Sequence, residues 1–224
     1  ELNFSSDIDL LFFYSDEGQT RAPTPEEAGG MVLRTRSTSN AEYFCKLGEL
    51  IIKALSEQMA DGFIFRVDMR LRPHGRDGAL AASIDSAVDY YVNYGRAWER
   101  QALIKARPCA GDLALGESFV EHMRPFVYPK YFDDETLEDV RNTKQQLEAT
   151  IEARGDGERQ VKLGRGGIRD IEFTVQMLQL LNGGRFAEVR TNNTLRAIDA
   201  LGKRNCLSPL EAATLKTHYA FLRG

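Results

Sequence analysis

Apolar and polar residues alternate with period two from Phe63 to Leu71. Phe63, Phe65, Val67, Met69 and Leu71 fall on one side; Ile64, Arg66, Asp68, Arg70 and then Arg72 fall on the other. This alternation predicts a strand with one apolar and one mostly charged face, and it puts Asp68 on the same face as three arginines. An earlier run, Ile8 to Tyr14, is apolar except for Asp9, as expected of a central strand buried on both faces. Ser15 to Thr38 holds Gly18, Pro23, Pro25, Gly29 and Gly30 among mostly polar residues and predicts a long surface loop. Helical spacing of Phe44, Leu47, Leu50, Ile51, Ala54 and Leu55 predicts a helix from about Ser39 to Gln58. A third short strand is expected at Ala79–Ser83, followed by helices near Asp85–Tyr94 and Ala97–Lys105.

After Pro108 the pattern turns wholly helical. Leu137, Val140, Lys144, Leu147 and Ile151 mark one helix; Ile168, Ile171, Val175, Leu178 and Leu181 mark another; Thr194–Gly202 is a third. Ser208-Pro209-Leu210-Glu211 is a capping box with proline at the first helical position, and it opens a last helix through Leu222. The expected organisation is therefore α+β: a domain with a small mixed sheet over residues 1–110, then a helical bundle over 111–224, with the boundary near Pro108–Gly116. Both ends read as cut from a longer polypeptide. Glu1 stands six residues before Asp7, and the last residues, Arg223-Gly224, continue an amphipathic pattern.

Composition narrows the function. A net charge of −4 argues against a general polyanion binder, since non-specific nucleic-acid affinity needs an excess of Lys and Arg. Three scattered cysteines, Cys45, Cys109 and Cys206, fit neither a disulfide framework nor a zinc knuckle, and suggest a reducing cytoplasm. No apolar run approaches the roughly 20 residues of a membrane span. Phosphate-loop, nucleophile-elbow and zincin signatures are absent from the sequence, and His74, His122 and His218 stand apart, with only His74 near the candidate chemistry.

That chemistry begins with Asp7 and Asp9. Side chains two apart on a strand share a face and lie about 6.6 Å apart. The pair can therefore converge on cations, with Asp68 completing the set if its strand lies alongside. Such an arrangement suits Mg²⁺ at a phosphoryl centre, because hard cations take carboxylate oxygens. An isolated Asp-x-Asp pair is more often a turn or helix cap. Here the pair leads into an apolar strand, and Asp68 sits among arginines. Arg70 and Arg72 have guanidinium forks that match phosphate oxygens; Arg66 is equally well read as part of an exposed strand edge. Lys105 and Arg107 either reach an anion or complement a helix dipole. The glycine-rich run Lys162-Leu163-Gly164-Arg165-Gly166-Gly167-Ile168-Arg169, leading into Asp170 and Glu172, offers free N–H groups with Arg165 and Arg169 as cations, or else an ion-pair network.

Four motifs in order, Glu1–Leu10, Arg66–Pro73, Trp98–Arg107 and Lys162–Phe173, resemble the glutamine synthetase adenylyltransferase family over nearly the whole chain. The resemblance implies a nucleotidyltransferase fold of the polymerase-β type followed by a helical domain. In that family one half attaches AMP from ATP to a tyrosine of glutamine synthetase, and a similar N-terminal half removes it with phosphate, releasing ADP. Lys105-Ala106-Arg107 and the run from Lys162 to Arg169 are more similar to the removing half. Carried over, the resemblance makes Asp7, Asp9 and Asp68 the catalytic ligands of two Mg²⁺ ions. It places Ser6, Arg70, Arg72, Lys105, Arg107, Arg165 and Arg169 at phosphate or nucleotide. It also implies a PII-type nitrogen signalling protein as partner, ATP, ADP and phosphate as ligands, and a second nucleotidyltransferase half in the full-length chain. The family's glycine-rich turn ahead of the first aspartate is expected outside this stretch. Two other readings remain: the transferring half, and a non-catalytic module that binds nucleotide or a regulator.

Overall fold

The computed structural model describes residues 6–21, 23, 24, 26, 27, 29, 37–58, 62–131, 138, 142, 145 and 166–224. The elements are β1 (Ile8–Asp9), β2 (Phe12–Tyr14), α1 (Asn40–Ser56), β3 (Val67–Asp68), β4 (Ala81–Ser83), α2 (Ile84–Tyr94), α3 (Ala97–Leu103), α4 (Leu113–Val127), α5 (Ile168–Gly183), α6 (Thr194–Lys203) and α7 (Pro209–Arg223). The helix expected from Leu137 to Ile151 lies outside the described residues, apart from helical positions 138, 142 and 145. By contacts the chain forms two units: residues 1–94 with 110–119, and residues 95–109 with 120–224. Residues 95–109, expected with the first domain, thus group with the second unit.

In the first unit the apolar run from Ile8 breaks into two strands with different partners. β1 pairs in parallel with β3, and β2 pairs in parallel with β4. The small mixed sheet expected from the sequence is, among the described residues, two separate parallel ladders. Ser39 caps α1 by accepting the Glu42 N–H at 3.1 Å. The helix then passes close to the second ladder at Gly48, where an added Cβ would meet the Phe12 ring at 3.0 Å and Leu80 at 3.2 Å. Aromatic packing fills the core: Tyr14 stacks on Phe44 at 5.1 Å, and Phe13 and Tyr91 pack on Phe119 at 4.2 and 6.1 Å between centroids.

Only Val67–Asp68 of the long alternating segment is paired as strand. The reason is the brevity of its neighbour: β1 offers two residues before the chain moves on to β4's side. Phe63 and Ile64, left without a ladder partner, are about half exposed.

The second unit is helical among its described residues. Ile168, Ile171 and Val175 of α5 pack with Ala197, Ile198 and Leu201 of α6 and Tyr219 of α7 in one buried cluster. Ser208 and Glu211 form the predicted capping box at α7. Gly183 at the end of α5 allows close approach of Tyr128, whose ring would lie 2.2 Å from any Cβ placed there. No helix among the described residues is long and apolar enough to cross a membrane.

Candidate active site

The parallel register sets Asp9 directly beside Asp68, held by Ile8 N–H donating to Arg66 O (2.9 Å) and Leu10 N–H to Asp68 O (3.1 Å). Asp7 lies two residues before Asp9 and so projects from the same face. Asp9 and Asp68 therefore stand side by side in the two-stranded ladder, with Asp7 immediately ahead of β1. This face belongs entirely to the first unit.

Arginines neutralise that face. Arg66 Nε reaches Asp7 Oδ1 at 2.5 Å. Arg70 donates to Asp68 through its backbone N–H (2.9 Å) and through Nε (2.7 Å to Oδ2), and its terminal nitrogen closes the fork. Those bonds hold the Asp68 carboxyl below its usual range, against the opposing effect of partial burial. In return the Arg70 guanidinium is pushed up, mainly by Asp68 and further by the Asp9 and Asp7 charges. All three carboxylates thus act on one guanidinium. Arg66, undecided from the sequence, is a partner of Asp7.

Arg72 has another task. Its guanidinium donates to three carbonyls, Met69 (2.8 Å), Arg76 (3.0 Å) and Gly78 (3.1 Å), and so ties together the loop that follows Asp68. In the same loop His74 takes a left-handed backbone (φ 61°) and its ring packs on Tyr90 at 4.4 Å. Gly78 is confined there, since a Cβ would fall 1.9 Å from Pro73 O. Tyr91 Oη anchors the loop to α2 by donating to Leu71 O at 3.2 Å. The sequence expectation placed Arg72 at phosphate. Such a role draws its anion contact from a group whose donors here face the loop interior.

The remaining expected residues fall as follows. Ser6 is half-buried just ahead of β1. Lys105, in the second unit, donates to Asn192 O and Thr194 Oγ1, both at 2.9 Å, fastening the end of α3 to the start of α6. Desolvation pushes its pKa down. Arg107 is exposed. Arg165 lies outside the described residues, and Arg169 is exposed on the first turn of α5. Beside it, Asp170 accepts the N–H of Gly166 at 2.8 Å, and Glu172 accepts the Tyr219 hydroxyl at 2.7 Å. Asp170 thus closes the turn into α5, and Glu172 links α5 to α7 within the second unit. The Lys105–Thr194 contact joins residues 89 apart, which local spacing cannot reveal.

Among the described residues no three acidic, His or Cys side chains close on a single point. Asp7 and Asp68 are instead turned to Arg66 and Arg70. Carboxylates are the donors a hard cation takes, and here those of Asp7 and Asp68 are engaged by Arg66 and Arg70.

Compared with known proteins, residues 1–122 match the family described as glutamate-ammonia ligase adenylyltransferase, more than half of the 224 residues. The chain belongs to that family. Residues 138–224 match the family described as PII-uridylyltransferase. Relatives of the adenylyltransferase family align along the whole chain. The bifunctional glutamine synthetase adenylyltransferase/adenylyl-removing enzyme of Hahella chejuensis is 44% identical over 225 residues, covering 100% of this chain and 22% of the relative. Proteins of the same name from Pseudomonas putida and Xanthomonas campestris are 43% and 44% identical, again over 100% of this chain and 22% of theirs. The chain thus spans about a fifth of the length of these adenylyltransferase relatives. The ladder of Asp7, Asp9 and Asp68 lies within the part that matches the adenylyltransferase family.

Proposed function

We propose that this chain is the catalytic part of an adenylyl-removing half, which splits AMP from a tyrosine of glutamine synthetase by phosphorolysis and releases ADP. One observation carries the reading: Asp9 stands beside Asp68, with Asp7 on the same face, in a chain of the adenylyltransferase family. The direction of the reaction rests on the basic runs at 105–107 and 162–169, which resemble the removing half.

In the reaction a phosphate oxygen bonds to the adenylyl phosphorus, the bond from that phosphorus to the tyrosine oxygen breaks, and the tyrosine oxygen takes up a proton. Mg²⁺, when bound by Asp7, Asp9 and Asp68, would offset the charge that builds on the phosphoryl oxygens. Two anions must meet, so the chain has to supply positive charge of its own. Arg70 does this best. Its fork is exposed, it already lies under the influence of all three carboxylates, and once Asp68 is engaged elsewhere it can donate to the incoming phosphate. Arg66 screens Asp7 in the same way. Arg72 fixes the loop that carries Asp68 and Arg70.

The test uses the full-length protein with adenylylated glutamine synthetase, Mg²⁺ and phosphate. Phosphate-dependent ADP release is expected from the parent protein and a loss of at least about 100-fold from Asp9→Asn, the scale on which charge-stabilising groups act. Full activity in Asp9→Asn would remove the ladder from the chemistry. ATP-dependent modification of glutamine synthetase by the same site would reassign the chain to the transferring half.

A further inference from the structure

One surface of the first unit is left idle by the carboxylates and arginines of the ladder. After Asp68 the chain folds into a tight turn: Arg72 N–H donates to Met69 O (3.3 Å), Gly75 N–H to Arg72 O (2.8 Å) and Asp77 N–H to His74 O (3.2 Å). The turn stays near the ladder, since the Arg76 charge helps to hold the Asp68 carboxyl low. Three aromatic rings meet there. The His74 ring centroid lies 4.4 Å from that of Tyr90 and 6.5 Å from that of Tyr94, and the two tyrosines are 6.3 Å apart. Tyr90 and Tyr94 stand four positions apart on α2 and so share one side of the helix. The turn, this side of α2 and Asp68 all belong to the first unit.

Core packing does not account for these rings. Tyr91, 1% exposed, already fastens α2 to the turn through Leu71 O, whereas Tyr94 is 65% exposed and His74 is exposed as well. Large rings stabilise a fold by being buried, so a cluster of them left in water marks a surface that receives something. His74 adds an independent sign. Its φ of 61° is a backbone that glycine adopts without cost and a side chain does not, and residues held this way gather at functional sites. The three ring planes differ by 31° to 59°, so the rings splay instead of closing on one another.

Splayed aromatic faces accept a flat ring by stacking or edge contact, whatever its hydrogen-bonding pattern. The adenylyl group contains one such ring, its purine. The tyrosine joined to that group is a second, but it departs with glutamine synthetase while ADP keeps the base. We propose that His74, Tyr90 and Tyr94 form the ledge on which the adenine of the adenylyl group stacks. The proposal rests on the reading of an adenylyl group as the substrate at Asp7, Asp9 and Asp68. Loss of one stacked aromatic weakens the binding of a base by about 5- to 150-fold.

The experiment measures ADP as an inhibitor of phosphorolysis by the full-length protein, beside pyrophosphate, an inhibitor that has phosphates and no base. His74→Gly keeps the turn, because glycine takes its φ freely, and Tyr94→Ala changes an exposed position. Each is expected to raise Ki for ADP about fivefold or more and to leave Ki for pyrophosphate unchanged, with Tyr94→Phe within about twofold of the parent. Photolabelling with 8-azido-ADP, mapped by peptide mass spectrometry, reads the ledge without turnover, and label is expected within residues 73–77 or 90–94. Unchanged Ki for ADP in both variants, or equal weakening of ADP and pyrophosphate, overturns the ledge and leaves the proposed reaction standing. Label confined to residues outside those two segments does the same. ADP-displaceable label within them, with no ADP formed by the parent, overturns the reaction and supports the ledge.

Discussion

Replacing Arg72 by alanine should unfasten the loop that presents Asp68 and Arg70. The guanidinium holds the carbonyls of Met69, Arg76 and Gly78 at 2.8, 3.0 and 3.1 Å. A hydrogen bond with one charged partner contributes about 1.5–3 kcal/mol when lost from a protected setting. Arg72 is half-buried and Arg76 lies at the surface, so water replaces part of what is removed. A loss of about 2–3 kcal/mol overall is therefore expected, or roughly 4–12 °C in Tm at about 2–4 °C per kcal/mol for a chain of this size. Lysine cannot reach three diverging carbonyls from one ammonium and should restore less than half of the loss. Arg76→Ala is the control: its side chain is exposed, its part in the loop tie is its backbone oxygen, and its charge acts on Asp68 only weakly, so the change should stay within about 0.5 kcal/mol. Thermal unfolding followed by far-ultraviolet circular dichroism reads all three. An Arg72→Ala protein melting within about 2 °C of the parent would refute the loop-tying role.

Further predictions concern packing and pH. Gly183→Ala should lower stability by about 1–2 kcal/mol despite alanine's better helix propensity, because its Cβ would fall 2.2 Å from the Tyr128 ring; denaturant titration measures it, and a more stable protein would contradict the close approach. Tyr128 is pushed up to about 12, chiefly by burial, with Arg190 and Arg124 opposing. The folded chain therefore keeps this proton where the unfolded chain loses it, so the stability linked to it is intact below pH 10 and declines as pH rises from 10 to 12, by roughly 2–3 kcal/mol in total. Tyr128→Phe should flatten that part of the alkaline stability curve. Glu211 is held below the usual carboxylate range, first by the Ser208 N–H and then by the Ser208 hydroxyl. Its depressed value means that the α7 cap is complete above about pH 4.3 and fails as pH falls through the folded value, which amide exchange at Ser208, whose N–H the carboxylate accepts, would report.

Spacing alone carried the central feature of the site. Period two put Asp7 and Asp9 on one face, and the alternation around Val67 put Asp68 on the charged side of its strand; parallel pairing then brought the two together. The same alternation overstated the strand's length, because a period-two pattern records which way side chains point and not whether a neighbour exists to pair with. Phe63 and Ile64 follow the pattern and have no ladder. The capping box at Ser208 and the apolar stripe of α5 were legible because they are local. Arg72 and Lys105 were not. Their donors meet carbonyls and a hydroxyl that come within reach only after a loop closes or helices assemble, and an exposed cation and a tethered one look alike in sequence.

The fate of radiolabelled inorganic phosphate tests the central claim most directly. With the full-length protein, Mg²⁺ and adenylylated glutamine synthetase, phosphorolysis at the Asp7, Asp9 and Asp68 face requires the label to appear as the β-phosphate of ADP. That transfer should disappear in Asp9→Asn. Unlabelled AMP released with the phosphate left unchanged, or ADP labelling that persists in Asp9→Asn, would contradict the account.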